Sequence, residues 1–293
     1  MAPPRSGARD SAGPRAPGDP EARKSATSAP GVLYHSTTIA SSGGARTMRR
    51  LACAAAAFLL ASPLGASKED PGAAAYRVTV AGLPIGEASL RAQRVDDRYR
   101  LEGRARLRFL FWGGEGVATA EGAANGEGLF PERHRLSYEG VRRPGSLAID
   151  FEDGRAVRWE SAPPPPPEVL EGRVPVAEAD KEGVLDPLTA LVVAAPADAA
   201  PETLCRRVAP VFSGLTRFDL AFEGARAAAD GVVECAIRYR AVSGHRPDAR
   251  GVRRLSEPDA IQVSLAPLAD GLWGPHRISV ATRFGPAELT RVR

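Results

Sequence analysis

The sequence predicts a mainly β protein: a curved antiparallel sheet, half-barrel or spiral-like, with one short central helix. Three observations carry this. Apolar and polar residues alternate in run after run, the period-2 signature of half-buried strands. The runs are short, and Gly, Pro and Asp turn chemistry separates them. Only one segment of the β-rich region has helical spacing.

Before the strands comes a different kind of segment. In MRRLACAAAAFLLASPLGA, residues 48–66, Arg49 and Arg50 precede the uncharged apolar run Leu51–Ala61, and Pro63–Ala66 is a small-residue region. That is the layout of a secretory signal peptide. The apolar run is short of the roughly 20 residues that cross a bilayer core. Cleavage is expected after Ala66, with sites up to Ala75 as alternatives. Residues 1–47 are rich in Ala, Pro, Ser, Gly and Arg without periodicity, so they read as a disordered leader or a mis-assigned start with translation from Met48. Residues 67–75 read as a flexible mature N-terminus and 76–293 as a single β-rich domain, with no transmembrane span in the mature chain. The expected location is the periplasm.

Export changes the charge argument. The whole chain has a formal net charge of +4. Residues 1–66 hold eight of its Lys and Arg and three of its Asp and Glu, which leaves 31 basic and 32 acidic residues in 67–293, a net charge of −1. Nothing in that balance favours a nucleic-acid partner.

It also changes the reading of the three cysteines. Cys53 lies near the start of the signal's apolar run, with Arg50 three residues before it, which is not a lipidation position. Cys205 and Cys235 remain as an even pair in an exported chain and read as a disulfide. The bridge would close a loop of about 31 residues, a stabilisation of roughly 3–4 kcal/mol by chain entropy. The competing readings are free buried thiols, a redox pair and a zinc half-site. No C-x-x-C spacing supports the second, and His245 completes no ligand spacing for the third.

The mature elements follow in order. AYRVTVAGLPIGEASLRAQ reads as strand, Gly-Leu-Pro-Ile-Gly connection, strand, with Tyr76, Val78 and Val80 on one face. RYRLEGRARLRFLFW repeats the alternation, and HRLSYEG, SLAIDFEDG and AVRWES follow at short spacing. The run Pro163–Pro167 favours an extended crossover rather than a strand. VLDPLTALVVAA is the predicted helix, with Asp186 as N-cap and Pro187 in the first turn. APVFSG, TRFDLAFEG, GVVECAIRYRAVSG, AIQVSLAPLADG, HRISVATRFG and AELTRVR return to strands.

YRVTVAGLPIGEASL, DPLTALVVA, CRRVAPVFSGLTRFDL and CAIRYRAVSGHRPD, in that order, resemble the bacterial exported proteins grouped as domain of unknown function 3108. The resemblance covers nearly all of residues 76–293. It implies that Cys205 and Cys235 match the family's cysteine pair and that the domain is a curved, largely antiparallel β structure. More distantly, the chain is similar to envelope-integrity proteins with a spiral or half-barrel sheet and to periplasmic lipoprotein carriers. The resemblance implies no activity.

No catalytic constellation is legible. His134, His245 and His276 stand apart, and there is no Gly-x-Ser-x-Gly, Walker A or dinucleotide fingerprint. No metal or cofactor is expected. Two stretches remain as candidate ligand-facing residues. In SGHRPD, His245 and Arg246 suit an anionic head group or glycan, although the surrounding residues are those of a polar turn. In FLFW, Phe109, Phe111 and Trp112 put large apolar groups at a strand end. They either pack in a core or face a ligand or membrane. The expected function is a non-enzymatic envelope protein that binds a lipid, glycan or envelope protein. The alternatives are an interaction module without a small ligand and, last, a hydrolase with a dispersed site.

Overall fold

The computed structural model describes residues 71–109, 112–140 and 144–292, so the leader and the expected signal segment lie outside the described residues. The first seven strands are β1 Ala73–Val80, β2 Leu83–Val95, β3 Arg98–Phe109, β4 Trp112–Asn125, β5 Gly128–Gly140, β6 Gly145–Glu152 and β7 Arg155–Ala162. The two-residue β8, Val193–Ala194, stands apart. The second set is β9 Val208–Phe212, β10 Arg217–Ala227, β11 Val233–Ser243, β12 Ile261–Ala269, β13 Leu272–Thr282 and β14 Gly285–Arg291.

Each set is an antiparallel up-and-down meander, and β1 pairs with β14 to join them. The first and last strands therefore lie in the middle of the sheet, and β7 and β9 are its edges. One segment bonds to both edges. Arg155 on β7 bridges to Glu182, and Val184 N–H donates to the Gly154 carbonyl at 3.2 Å. Leu185 N–H donates to Pro210 on the β9 side at 2.7 Å, and Phe212 N–H returns a bond to Leu185 at 2.9 Å. Trp159 on β7 meets Phe212 on β9 edge-on, with ring centroids 5.4 Å apart. The expected half-barrel is thus a nearly closed, barrel-like sheet.

The expected single central helix is corrected. Three short helices occur elsewhere: α1 Pro167–Leu170, α2 Pro201–Cys205 and α3 Arg250–Leu255. Within VLDPLTALVVAA the chain makes only a 3₁₀ turn, Thr189–Leu191, and then becomes β8. The reason is tertiary. Val193 and Ala194 pair with Trp273 and Leu272 on β13. The β-branched Val192–Val193 pair suits that extended state, and a short isolated helix has little cooperative stability to oppose it. The five prolines behave as a crossover: Pro166 is extended at φ −64°, ψ 148°, and α1 begins at Pro167.

The core has two main parts. Inner residues of the first meander, including Tyr99, Leu101 and Ala120, pack against Leu188 and Val192 from the crossing segment. Inner residues of the second meander, including Cys235, Ile237 and Val263, pack against Val193 and against Leu204 and Cys205 of α2. Cys205 and Cys235 form a disulfide with Cα atoms 5.5 Å apart.

Candidate functional site

The hairpin turns give the sheet two chemically different ends. At one end lie Asp96–Asp97, Gly126–Glu127, Asp153–Gly154 and Asp270–Gly271, so every one of these turns carries a carboxylate. Asp96 and Asp153 have φ of 54° and 49°, a conformation that Asp tolerates better than most side chains.

At the other end, Ala81–Gly82 joins β1 to β2 and Arg283–Phe284 joins β13 to β14. The two turns sit side by side, because Ala81 N–H donates to the Pro286 carbonyl at 2.8 Å. Leu83 and Phe284 are 63% and 57% exposed there. The Arg283 guanidinium lies 4.4 Å above the Phe284 ring. The chain has no Asp or Glu from 80 to 86, from 103 to 114 or from 277 to 287.

Next to this end, a trough crosses the first meander. One depression of about 770 Å³ runs from Tyr76 on β1 to Gly145 at the start of β6. A second, of about 620 Å³, extends it toward the Ala81–Gly82 turn and shares Tyr76, Glu87, Arg106 and Val292 with the first. Strand alternation supplies its charges. Arg104, Arg106 and Arg108 project at every second position of β3 and are exposed. Arg106 pairs with Glu115 at 3.0 Å, and Arg104 with Glu102 at 2.7 Å. Arg77 and Arg108 line the trough, are exposed, and make no ion pair among the described residues. Tyr138, half exposed, lies over Gly145, where an added Cβ would stand 2.4 Å from the ring. A larger residue there would require the Tyr138 ring to swing away.

The residues singled out from the sequence are placed as follows. Phe109 ends β3 and Trp112 begins β4, as cross-strand partners at the same end as Leu83. Their side chains, and Phe111 altogether, lie outside the described residues. His245 and Arg246 follow β11 of the other meander, His245 partly buried and Arg246 exposed. His245 Nε2 lies 3.0 Å from the Tyr239 hydroxyl, and Tyr239 stacks on Phe218 at 5.2 Å. Burial, with help from the Arg173 charge, holds the His245 pKa below its usual value, and burial pushes Tyr239 up to about 12. Arg246 donates to the carbonyls of Glu171 and Glu168, at 3.0 and 2.6 Å. Val174 N–H donates to the His245 carbonyl at 2.9 Å, and Gly244 N–H to Val174 at 2.7 Å. The SGHRPD turn thus fastens the crossover that carries α1.

Asp186 is fully buried. Its Oδ1 accepts the N–H groups of Leu188 and Thr189 at 2.9 and 3.0 Å, which is capping of a 3₁₀ turn. His134 Nδ1 on β5 lies 3.0 Å from the same oxygen, close enough to pair but without hydrogen-bond alignment. Thr189 shares a 2.9 Å hydrogen bond with the Tyr99 hydroxyl, whose pKa burial and the Asp186 charge push upward. This cluster is sealed and anchors the crossing segment. Arg207 is a second buried group. It lies 4.1 Å above the Phe222 ring and donates to the Ala190 carbonyl at 3.3 Å, and burial pulls its pKa down to about 10. Among the described residues, no three His, Cys, Asp or Glu side chains come together as a metal site would need. No helix among them is long and apolar enough to cross a membrane.

The family model described as "Protein of unknown function (DUF3108)" matches residues 75–291. The chain belongs to this family. A solved structure, a beta-barrel-like protein of domain of unknown function DUF1849 from Brucella abortus, is similar at 10% identity, over 76% of this chain and 96% of that one, with a TM-score of 0.43. Comparison with curated proteins gives no match. For this DUF3108 member, the matched span includes the disulfide, every strand except the first two residues of β1, and the trough lining except Val292.

Proposed function

We propose that this DUF3108 protein is exported by the signal segment 48–66 and works in the periplasm as a non-enzymatic binding protein of the cell envelope. The ligand is amphipathic, with an anionic head. The observation that supports this reading is the trough, where Arg77 and Arg108 make no ion pair among the described residues, beside an end that exposes Leu83 and Phe284. An exposed guanidinium without a carboxylate is available to a phosphate or carboxylate, and adjacent apolar groups suit an acyl chain. Binding by strand addition is a weaker reading, since segment 182–185 bonds to both sheet edges.

Native mass spectrometry of the protein matured in a bacterial periplasm, without reducing agent, tests this. The expected mass is that of residues 67–293 less two hydrogens for the bridge, with a lipid-sized adduct lost on activation. An unprocessed chain would refute export. A mature protein without adduct, together with no shift in unfolding midpoint on adding a short-chain anionic phospholipid, would refute the ligand.

A further inference from the structure

We infer that the part of this end formed by the Ala81–Gly82 and Arg283–Phe284 turns docks onto an anionic membrane surface. In this geometry Leu83 and Phe284 enter the lipid interface, and Arg77, Arg108 and Arg283 meet the head groups. The inference rests on the envelope reading above but names a partner that the trough alone does not.

Single exposed apolar residues are ordinary on a protein surface. Four features at this end go beyond that. First, Leu83 directly follows one turn and Phe284 lies in the other, and the Ala81–Pro286 hydrogen bond holds those two turns side by side, so both exposed side chains stand at the same place on this end. Hairpin turns are usually Asn, Asp and Gly, and those at the opposite end are. Second, three chain stretches that converge here, 80–86, 103–114 and 277–287, contain no carboxylate. A membrane with negative surface charge would repel one. Third, the cations are placed for use. Arg77 and Arg108 have no ion pair among the described residues, and Arg283 lies over Phe284, the aromatic-plus-cation pairing that suits a lipid interface. Fourth, the opposite turns carry Asp96, Asp97, Glu127, Asp153 and Asp270. The carboxylates of the near end, Glu168, Glu171, Asp248, Glu257 and Asp259, lie instead in the connections after β7 and β11. The contrast along β1–β4 and β13–β14 would therefore orient the Ala81–Gly82 and Arg283–Phe284 turns toward the membrane.

The same observations say how deep it goes. The flanks of the sheet carry exposed ion pairs such as Arg106–Glu115 and Arg238–Glu223. Strands that faced acyl chains would show an apolar outer band instead. The strands therefore stay in water, and only the turns reach the lipid.

Vesicle co-sedimentation of the exported, disulfide-bearing protein tests this. One vesicle set is phosphatidylglycerol with phosphatidylethanolamine, and the other is phosphatidylcholine alone. The protein should sediment with the first set, less so as salt rises, and weakly with the second. The double variant L83S/F284S should lower the bound fraction about tenfold or more. R77Q/R108Q should weaken binding and flatten its salt dependence. D96N/D153N, at the far end, should not weaken it. All these positions are exposed, and an unchanged urea midpoint checks that each variant is folded. Equal sedimentation with both vesicle sets, or L83S/F284S binding like the parent, would overturn the inference. A lipid adduct in the mass spectrum with no vesicle binding would overturn the docking and leave the ligand-binding reading intact.

Discussion

The two meanders bury their inner faces by different means. In β9–β14 the inner residues are β-branched, aromatic or leucine: Val233, Ile237, Tyr239, Ile261, Val263 and Leu265. Their cover is α2, which the Cys205–Cys235 bridge ties covalently to β11. In β1–β7 many inner positions are small, and the filling comes from Leu188 and Val192 on a segment that belongs to neither meander. An added Cβ on Gly103 would stand 3.1 Å from Leu188. So one half is locked by a covalent bond, and the other is held by a guest segment anchored through a buried polar cluster. The trough lies on the half without the lock.

The largest effect expected from this contrast is at Asp186. Asp186→Ala removes the acceptor for two buried N–H groups and leaves His134 without its neighbour. Each buried N–H left without its acceptor costs about 1–3 kcal/mol. Urea unfolding should report that loss, and hydrogen exchange should rise first in β3–β5. Asp186→Asn keeps the accepting oxygen and should lose clearly less. Equal losses would mean that the charge, rather than the capping, holds the segment.

The double variant C205S/C235S comes next. A closed loop of about 31 residues corresponds to roughly 3–4 kcal/mol in the chain-entropy account. Here exchange should rise first around α2 and β11, with β3–β5 protected. If both variants loosen the same strands, the meanders are one cooperative unit and the contrast between them is only in their construction.

The same contrast explains what the sequence made legible. Strands β1–β3 and β9–β14 were readable because apolar residues alternate with charged ones. Strand β4 was not, because its inner positions are Gly114, Gly116, Ala118, Ala120, Gly122 and Ala124. Small residues give no apolar contrast, yet they are what admits Leu188. The Gly-Leu-Pro-Ile-Gly connection was read too long: the turn is Ala81–Gly82, and a bulge near Val78 absorbs the rest into β2. The spacing in DPLTALVVA is helical, but its fate depends on β13, some 80 residues later. Val174, which bonds the His245 carbonyl, and the Arg246 partners Glu171 and Glu168 lie about 70 to 80 residues upstream, with no local trace. The acid-free stretches were present in the sequence, but only the strand order shows that they converge.

A smaller effect concerns the fastening of the crossover between the meanders. His245 is held below its ordinary pKa by burial and by Arg173. The folded protein therefore binds this proton less readily than the unfolded chain, whose His titrates near 6.5. Its contribution is complete above about pH 6.5 and declines as pH falls through the lower folded value. The urea midpoint should drop modestly between pH 7.5 and pH 5. His245→Gln, which keeps a partner for Tyr239, should remove that part of the slope. An unchanged slope in the variant would assign the pH dependence to other groups.

The smallest expected effect lies where the two meanders meet. Ala81 has φ 50° and Gly82 φ 80°, the left-handed pair of a tight hairpin turn. A side chain in that region costs roughly 1–2 kcal/mol, and glycine returns part of this as extra unfolded-state entropy. Ala81→Gly should thus raise stability by up to about 1 kcal/mol, read as a small rise in urea midpoint. There is a counterweight. A Cβ on Gly285 would stand 3.0 Å from the Ala81 methyl, so the two turns are already nested. If Ala81→Gly is neutral or destabilising, the methyl contact outweighs the strain, and the β1–β2 turn carries Ala because it packs against the β13–β14 turn. That result would make the adjacency of Leu83 and Phe284 a packed feature of the junction, and it would sharpen the case that the end acts as one surface.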